Sequence, residues 1–215
     1  MANFLAENGQ ELLNLTLQHL LLSVVSLALG ILIAVPLGIL LSQHPKIAGG
    51  VISVVGVLQT IPTLALLALM IPIFGVGRLP SIVALFIYSL LPILRNTYLG
   101  MTSVDPDLLD AAKGMGLTAW QVIKDVQLPL AMPVIMAGIR LSTVYVIAWA
   151  TLAAYIGGGG LGEMIFNGLN LYKPDLIIGG TIPVTLIAVL ADLLMNYLEK
   201  LTQPQTTSKG AGEDA

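Results

Sequence analysis

Long apolar runs dominate this chain, and short polar segments separate them. A helix needs roughly 20 mostly apolar residues to cross a bilayer. Prolines fall inside several runs, which is tolerable where neighbouring helices or water satisfy the freed carbonyls. The pattern therefore predicts an all-α polytopic membrane protein with about five transmembrane helices, at 17–41, 51–74, 81–94 (lengthened if 97–101 joins it), 130–156 and 176–198.

One polar and charged segment, 110–129, interrupts these runs. In the wider loop 105–129, Asp105 followed by Pro106 predicts the start of a short helix. Gly114 and Gly116 predict its end and a sharp bend. An ordered amphipathic segment of this kind is either a loop lying at the membrane interface or a docking element for a partner in water.

A second short helix is predicted in the remainder of the loop. Thr118 is followed three residues later by Gln121, which is the spacing of a capping box. Leu128-Pro129 is expected to end this helix before the fourth span begins, because proline lacks the N–H that a helix interior requires.

The composition supports a membrane protein and excludes several functions. The chain has 215 residues, of which 56% are hydrophobic and 10% charged, with a net charge of -3; soluble domains carry about 25% charged residues. Such a chain offers no basic surface for nucleic acid. It contains no cysteine, and His19 and His44 do not have the spacing of metal ligands.

The distribution of Lys and Arg predicts the orientation in the membrane. Six basic residues would lie on one side of the membrane and two, Arg78 and Lys173, on the other. Arg140 lies inside a span. This bias places the loop 105–129 and the C-terminus in the cytoplasm and the N-terminus outside. No basic region precedes the first apolar run, so an uncleaved first span is expected. We predict one transmembrane domain, 1–201, with a disordered cytoplasmic tail, 202–215. The six basic residues on the cytoplasmic side would be Lys46, Arg95, Lys113, Lys124, Lys200 and Lys209.

The loop resembles the EAA loop of permease subunits of ATP-binding-cassette importers. Its pattern is E-A-A, three residues, G, nine residues, I, any residue and L-P. Asp replaces Glu and Val replaces Ile, and both departures are mild. The matching positions are Asp110-Ala111-Ala112, Gly116, Val126 and Leu128-Pro129.

In that family the loop docks into a groove on a cytoplasmic ATPase. The resemblance implies that Ala111, Ala112 and Gly116 allow close approach. Asp110 would stabilise the loop or bond to the partner. The apolar pocket of the partner would receive Leu109 or Met115.

Two further segments, 58–101 and 154–170, resemble permeases of the betaine, carnitine and choline importer branch. The resemblance covers nearly the whole chain except the tail. It implies a type I importer fold, a second permease subunit, two ATPase subunits and an extracellular substrate-binding protein. ATP and Mg would be bound by the ATPase, and this chain, which lacks a Walker motif, would be a transport subunit without a cofactor or catalytic site. The alternatives are an amino-acid importer, such as one for methionine, and an ion-driven secondary transporter.

Polar residues in spans are costly and are therefore candidates for the transport pathway. The alternative is that hydroxyl groups bond back to helix carbonyls. The candidates in the second, third and fourth spans are Gln59, Thr60, Pro62, Thr63, Tyr88, Ser89, Ser142 and Tyr145.

The remaining candidates are two charged residues within spans, a face of small residues and a glycine-rich loop. Arg140 and Asp192 are predicted to form an ion pair within the membrane, and a positively charged barrier in the pathway is the alternative to that pair. Gly30, Ala34 and Gly38 form a face suited to helix packing. A glycine-rich loop is either an outer gate, a contact for the binding protein, or a flexible re-entrant turn; its glycines are Gly157, Gly158, Gly159, Gly160 and Gly162.

Aromatic residues make up only 6% of the chain, and we expect no cluster of Tyr or Trp within the spans. Quaternary amines are recognised tightly by aromatic cages. The sequence therefore predicts that selectivity resides in the binding protein and that the permease provides a low-affinity passage.

Overall fold

A computed structural model describes the backbone of residues 2–203 and the side chains of residues 7–203. The predicted tail, 202–215, lies outside the described residues except for Thr202 and Gln203. Among the described residues all regular structure is helical. The α-helices are α1 (Ala2–Ser42), α2 (Pro45–Thr60), α3 (Thr63–Phe74), α4 (Arg78–Thr102), α5 (Pro106–Gly114), α6 (Ala119–Gln121), α7 (Leu128–Ala150), α8 (Leu161–Asn170) and α9 (Pro174–Thr202).

Four helical segments in the described part of the chain are long and apolar enough to cross a membrane continuously. The predicted second span differs, because α2 and α3 are bent by 95° at a short break. Pro62 lies at the break, where its ring and its missing N–H disfavour a continuous α-helix. With this bent pair as the fifth crossing, the predicted span count is confirmed.

Helix α4 forms the centre of the bundle, between α1 and α7. Small residues of α1 allow a close approach to α4: an added Cβ on Gly30 would collide with Ser89, and one on Gly38 would lie 2.6 Å from Thr97 Cβ. Ala34 is fully buried between them. The predicted packing face of α1 is therefore confirmed, and it holds α1 against the helix that carries two of the pathway candidates, Tyr88 and Ser89.

The helices connect two ends of the bundle. The loop end contains the turn at His44, the loop 105–129 and the last turn of α9. The glycine end contains residues 75–77, the glycine-rich loop and the turn between α8 and α9. A hydrogen bond from Gly77 N to Ile156 O (2.8 Å) joins two connections at the glycine end.

Candidate coupling loop and transport pathway

The first helix of the loop, α5, has the ends that the sequence predicts. The Asp105 side chain caps it by accepting a hydrogen bond from Asp107 N at 2.9 Å. The helix ends at Gly114, and Gly116 has φ +86°. Bonds from Gly116 N to Lys113 O and from Leu117 N to Ala112 O close the bend. This left-handed geometry is readily available to glycine and costly for a branched side chain.

The second predicted helix begins as expected but does not end at Leu128-Pro129. Both bonds of the Thr118–Gln121 capping box are present. A π-helical turn, Val122–Gln127, then continues directly into α7. The π turn shifts the hydrogen-bond register, so that Leu128 N bonds to Ile123 O. Pro129 thereby falls in the first turn of α7, where its missing N–H does no harm.

Buried side chains hold the loop against the bundle. Ala112 and Val122 are 1% and 5% exposed. Gln127 is buried and donates from Nε2 to Met101 O at 2.7 Å. Sequence reasoning overlooked Gln127, because an isolated glutamine carries no pattern that separates an anchor from a solvent-facing residue.

The outward surface of the loop carries large exposed apolar side chains among charged ones. Met115 is 74% exposed and Trp120 67% exposed. Asp110 is exposed and forms an ion pair with Lys113 at 2.9 Å, within its own helix. Ala111 is exposed and Leu109 partly buried. Ala112, expected to allow a partner's approach, instead faces inward because α5 packs on it; Ala111 and Gly116 remain available.

Four of the pathway candidates donate hydrogen bonds from their hydroxyl groups to backbone carbonyls. Ser89 and Ser142 are buried, donating to Phe86 O and Ser89 O respectively. The Tyr88 hydroxyl donates to Ile61 O at the α2–α3 break. Thr60 bonds back to Val57 O at 2.7 Å, as the alternative interpretation expects.

Three of the four remaining candidates lie at the break between α2 and α3, and the fourth, Tyr145, lies on α7. Gln59 Nε2 donates to Tyr88 O at 2.9 Å. Pro62 is exposed, Thr63 is partly buried, and Tyr145 on α7 is 39% exposed. The structure therefore gathers Gln59, Pro62 and Thr63 at a single hinge beside α4.

Arg140 and Asp192 form the predicted ion pair. The guanidinium makes two bonds to the carboxylate, Nε to Oδ1 at 2.6 Å and Nη2 to Oδ2 at 2.9 Å. Its Nη1 also reaches Asn196 Oδ1 at 3.0 Å and Glu199 Oε2 at 3.5 Å. Three side chains of α9 thus surround one cation of α7, which joins these helices by a bidentate, orientation-specific contact.

The glycine-rich loop is a packed turn. Gly158, Gly159, Gly160 and Gly162 are buried, whereas Gly157 is exposed. Gly157, Gly159 and Gly160 have positive φ. Gly160 N donates to Gln18 Oε1 at 3.2 Å. The loop therefore rests on α1, and of its glycines only Gly157 is accessible to a partner.

A cavity of about 760 Å³ also opens at the glycine end. It lies between the first turns of α1, the end of α8 and the start of α9. Its charged lining residues are Glu7, Glu11, Lys173 and Asp175.

Comparison with known proteins identifies the family. Residues 26–205 match the family described as the inner membrane component of binding-protein-dependent transport systems. The carnitine transport permease protein OpuCB of Listeria monocytogenes is 58% identical over 205 residues, which are 95% of this chain and 94% of the relative.

The chain belongs to this permease family.

Other relatives and solved structures agree with the assignment. The glycine betaine/carnitine/choline transport system permease protein OpuCB of Bacillus subtilis is 54% identical to the permease over 98% of the chain and 95% of the relative. An inward-facing structure of the MetNI methionine ABC transporter matches with a TM-score of 0.82 at 21% identity, covering 90% of the permease and 96% of that chain. The predicted type I importer permease fold is confirmed.

The permease contains an aromatic cluster that the sequence did not reveal. The Trp149 ring lies 4.6 Å from that of Tyr88 and 5.2 Å from that of Tyr145, measured between centroids. The expectation that the spans hold no such cluster is wrong. Tyr88 and Trp149 are 61 positions apart in the chain, so only the antiparallel packing of α4 on α7 brings them together.

Proposed function

We propose that this permease is the translocation subunit of an ATP-driven importer for quaternary-amine osmoprotectants, the class that includes glycine betaine, carnitine and choline. The observation that carries this proposal is the 58% identity, over nearly the full length, to a permease named for carnitine. The Bacillus subtilis relative, at 54% identity, is named for glycine betaine, carnitine and choline. Both sequence identities are far higher than the 21% identity to the methionine transporter, which is similar to the permease in fold alone.

The loop 105–129 is the element that receives force in this proposal. It would dock on a cytoplasmic ATPase, with Met115 and Leu109 entering an apolar pocket and Asp110 near its rim. ATP and Mg would be bound and hydrolysed by two such ATPase subunits. The exposed apolar surface of Met115 and Trp120, on a loop stiffened by caps and buried anchors, supports a docking role over a loop that merely rests at the interface.

The opposite end of the bundle would face outward and accept substrate from a binding protein. The cavity at Glu7, Glu11 and Asp175 and the exposed Gly157 lie there. A second permease subunit, identical or similar, would complete the passage. On ATP binding the spans would change from inward-open to outward-open, and hydrolysis would reset them.

Reconstitution tests this function directly. The permease would be placed in proteoliposomes with its ATPase and binding protein, and uptake of radiolabelled glycine betaine, choline and methionine would be measured. ATP-dependent uptake of the two quaternary amines, without methionine uptake, is expected. Methionine uptake alone would favour the amino-acid importer, and ion-driven uptake without ATPase subunits would favour the secondary transporter.

Replacing Gly116 with Val tests the loop. No atom lies within 4 Å of a Cβ at this position, so the change leaves the permease packing intact. It forces a branched side chain into positive φ, at a cost of about 1–3 kcal/mol, and it crowds the docking face. We expect normal membrane insertion, reduced co-purification of the ATPase and reduced uptake.

Gly114→Val is the matched control. Gly114 likewise has no atom within 4 Å of an added Cβ and lacks positive φ. A Gly116→Val complex with full assembly and uptake would contradict the docking role.

A further inference from the structure

Three aromatic side chains form a connected cluster inside the bundle: Tyr88 on α4, and Tyr145 and Trp149 on α7. Tyr88 is 2% exposed and packs one edge of the cluster into the core. Tyr145 is 39% exposed, and Trp149 is partly buried between the other two rings. The cluster therefore runs from the core to an accessible ring.

Tyr88, the innermost ring, lies near the middle of a helix long enough to cross the membrane. Tyr88 lies ten residues from the first residue of α4 and fourteen from the last, which is roughly 15 Å and 21 Å along the axis. The hydrocarbon core of a bilayer is about 30 Å thick. A cation at this depth is far from bulk water, and there the attraction between a cation and an aromatic face is stronger than at an exposed site.

The cluster is also tied to the break between α2 and α3. The Tyr88 hydroxyl bonds to Ile61 O, and Gln59 bonds to the backbone carbonyl of Tyr88. These two bonds use the polar groups of Tyr88 and fix its ring beside the hinge. Thr60 and Pro62 of the hinge are exposed. The rings thus lie beside interrupted backbone, which at membrane depth is tolerated only where protein buries it or where it lines a water-filled cavity.

We propose that Tyr145 and Trp149, backed by Tyr88, form a transient site for the quaternary ammonium group of the substrate within the permease. This proposal rests on the proposed function. A trimethylammonium group has no N–H to donate, so aromatic faces are the side chains that suit it. The permease would then contribute to selectivity during passage.

The test uses the complete importer in proteoliposomes, with radiolabelled choline as the probe because its only charge is the ammonium. Trp149→Leu and Tyr145→Leu are compared with Trp149→Phe and Tyr145→Phe. We expect the Leu variants to reduce choline uptake about 2- to 30-fold and the Phe variants to retain most of it. ATPase stimulation by the loaded binding protein should persist in all four, since the loop is untouched.

Fluorinated tryptophan separates cation recognition from packing. The chain has two tryptophans, Trp120 and Trp149; a Trp149→Phe chain labelled in the same way controls for Trp120. Uptake should fall stepwise with each fluorine in the wild-type chain and stay constant in the Trp149→Phe chain. Tyr197→Leu, an exposed aromatic on α9, should leave uptake unchanged.

The outcomes are distinguishable. Wild-type importer that transports no quaternary amine would overturn the proposed function. Wild-type uptake combined with normal uptake in both Leu variants, or with no dependence on fluorination, would overturn this site alone.

Discussion

At the scale of single residues, glycine and short polar side chains determine how closely the helices approach. Gly138 is packed so tightly that an added Cβ would lie 2.5 Å from Asn96 Cβ. Gly180 is similarly close to Ile165. Such contacts drive helix association in membranes, where no hydrophobic effect acts between helices. The packing role of Gly30 and Gly38 could be predicted from their spacing, whereas the partners of Gly138 and Gly180 depend on tertiary geometry.

Gly162→Ala is expected to destabilise the permease. Its Cβ would collide with the backbone carbonyl of Thr151, which cannot move like a side chain. Overpacking of this kind costs about 1–3 kcal/mol, and we expect an apparent melting temperature roughly 5 °C lower in detergent. Gly9→Ala, with no atom within 4 Å of the added Cβ, is the control. Equal melting temperatures for Gly162→Ala and wild type would refute the close contact.

At the scale of elements, features that depend on neighbouring residues were predicted from the sequence, whereas features that depend on packing between distant segments were not. The caps at Asp105 and Thr118 depend on neighbours within three residues, so the sequence predicts them correctly. The passage of the helix through Pro129 depends on a π turn, which has no sequence pattern as clear as a capping box. The 95° bend at Pro62 was not predicted, since the second span, 51–74, was expected to run through this proline.

The contact between α7 and α9 is expected to depend on the sign of its charges. Arg140→Glu and Asp192→Arg should each lower the thermal stability of the purified permease, since each leaves like charges facing one another. Glu199 remains close to position 140 in both variants. The double variant should recover part of the loss, as measured by size-exclusion chromatography after heating. Losses that simply add in the double variant would mean that the pair is not coupled.

At the scale of the whole molecule, the bundle has two chemically distinct ends. The loop end presents Met115 and Trp120, and the glycine end presents a charged cavity. The family and the five crossings could be predicted from sequence, because long apolar runs and the EAA-like pattern are properties of the chain itself. The aromatic cluster could not, because it requires knowing which faces of α4 and α7 meet.

The absence of cysteine in the sequence allows the orientation to be measured with single labels. Tyr172 at the glycine end is 91% exposed, and Lys113 is exposed in the loop. We expect a membrane-impermeant maleimide to label Tyr172→Cys on intact cells and Lys113→Cys only after permeabilisation. The reverse pattern would place the loop outside the cell and remove it from contact with any cytoplasmic ATPase.

The continuous helical path from Ala119 to Ala150 has a mechanical consequence. Trp149 lies thirty residues beyond Ala119, at the opposite end of one rod that is roughly 45 Å long. A tilt of about 10° imposed at Thr118 would sweep the indole through roughly 8 Å. The π turn Val122–Gln127 and Pro133 are the points where such a helix can bend. No break separates them from Trp149, so a tilt of the loop is expected to move the ring surface at the other end.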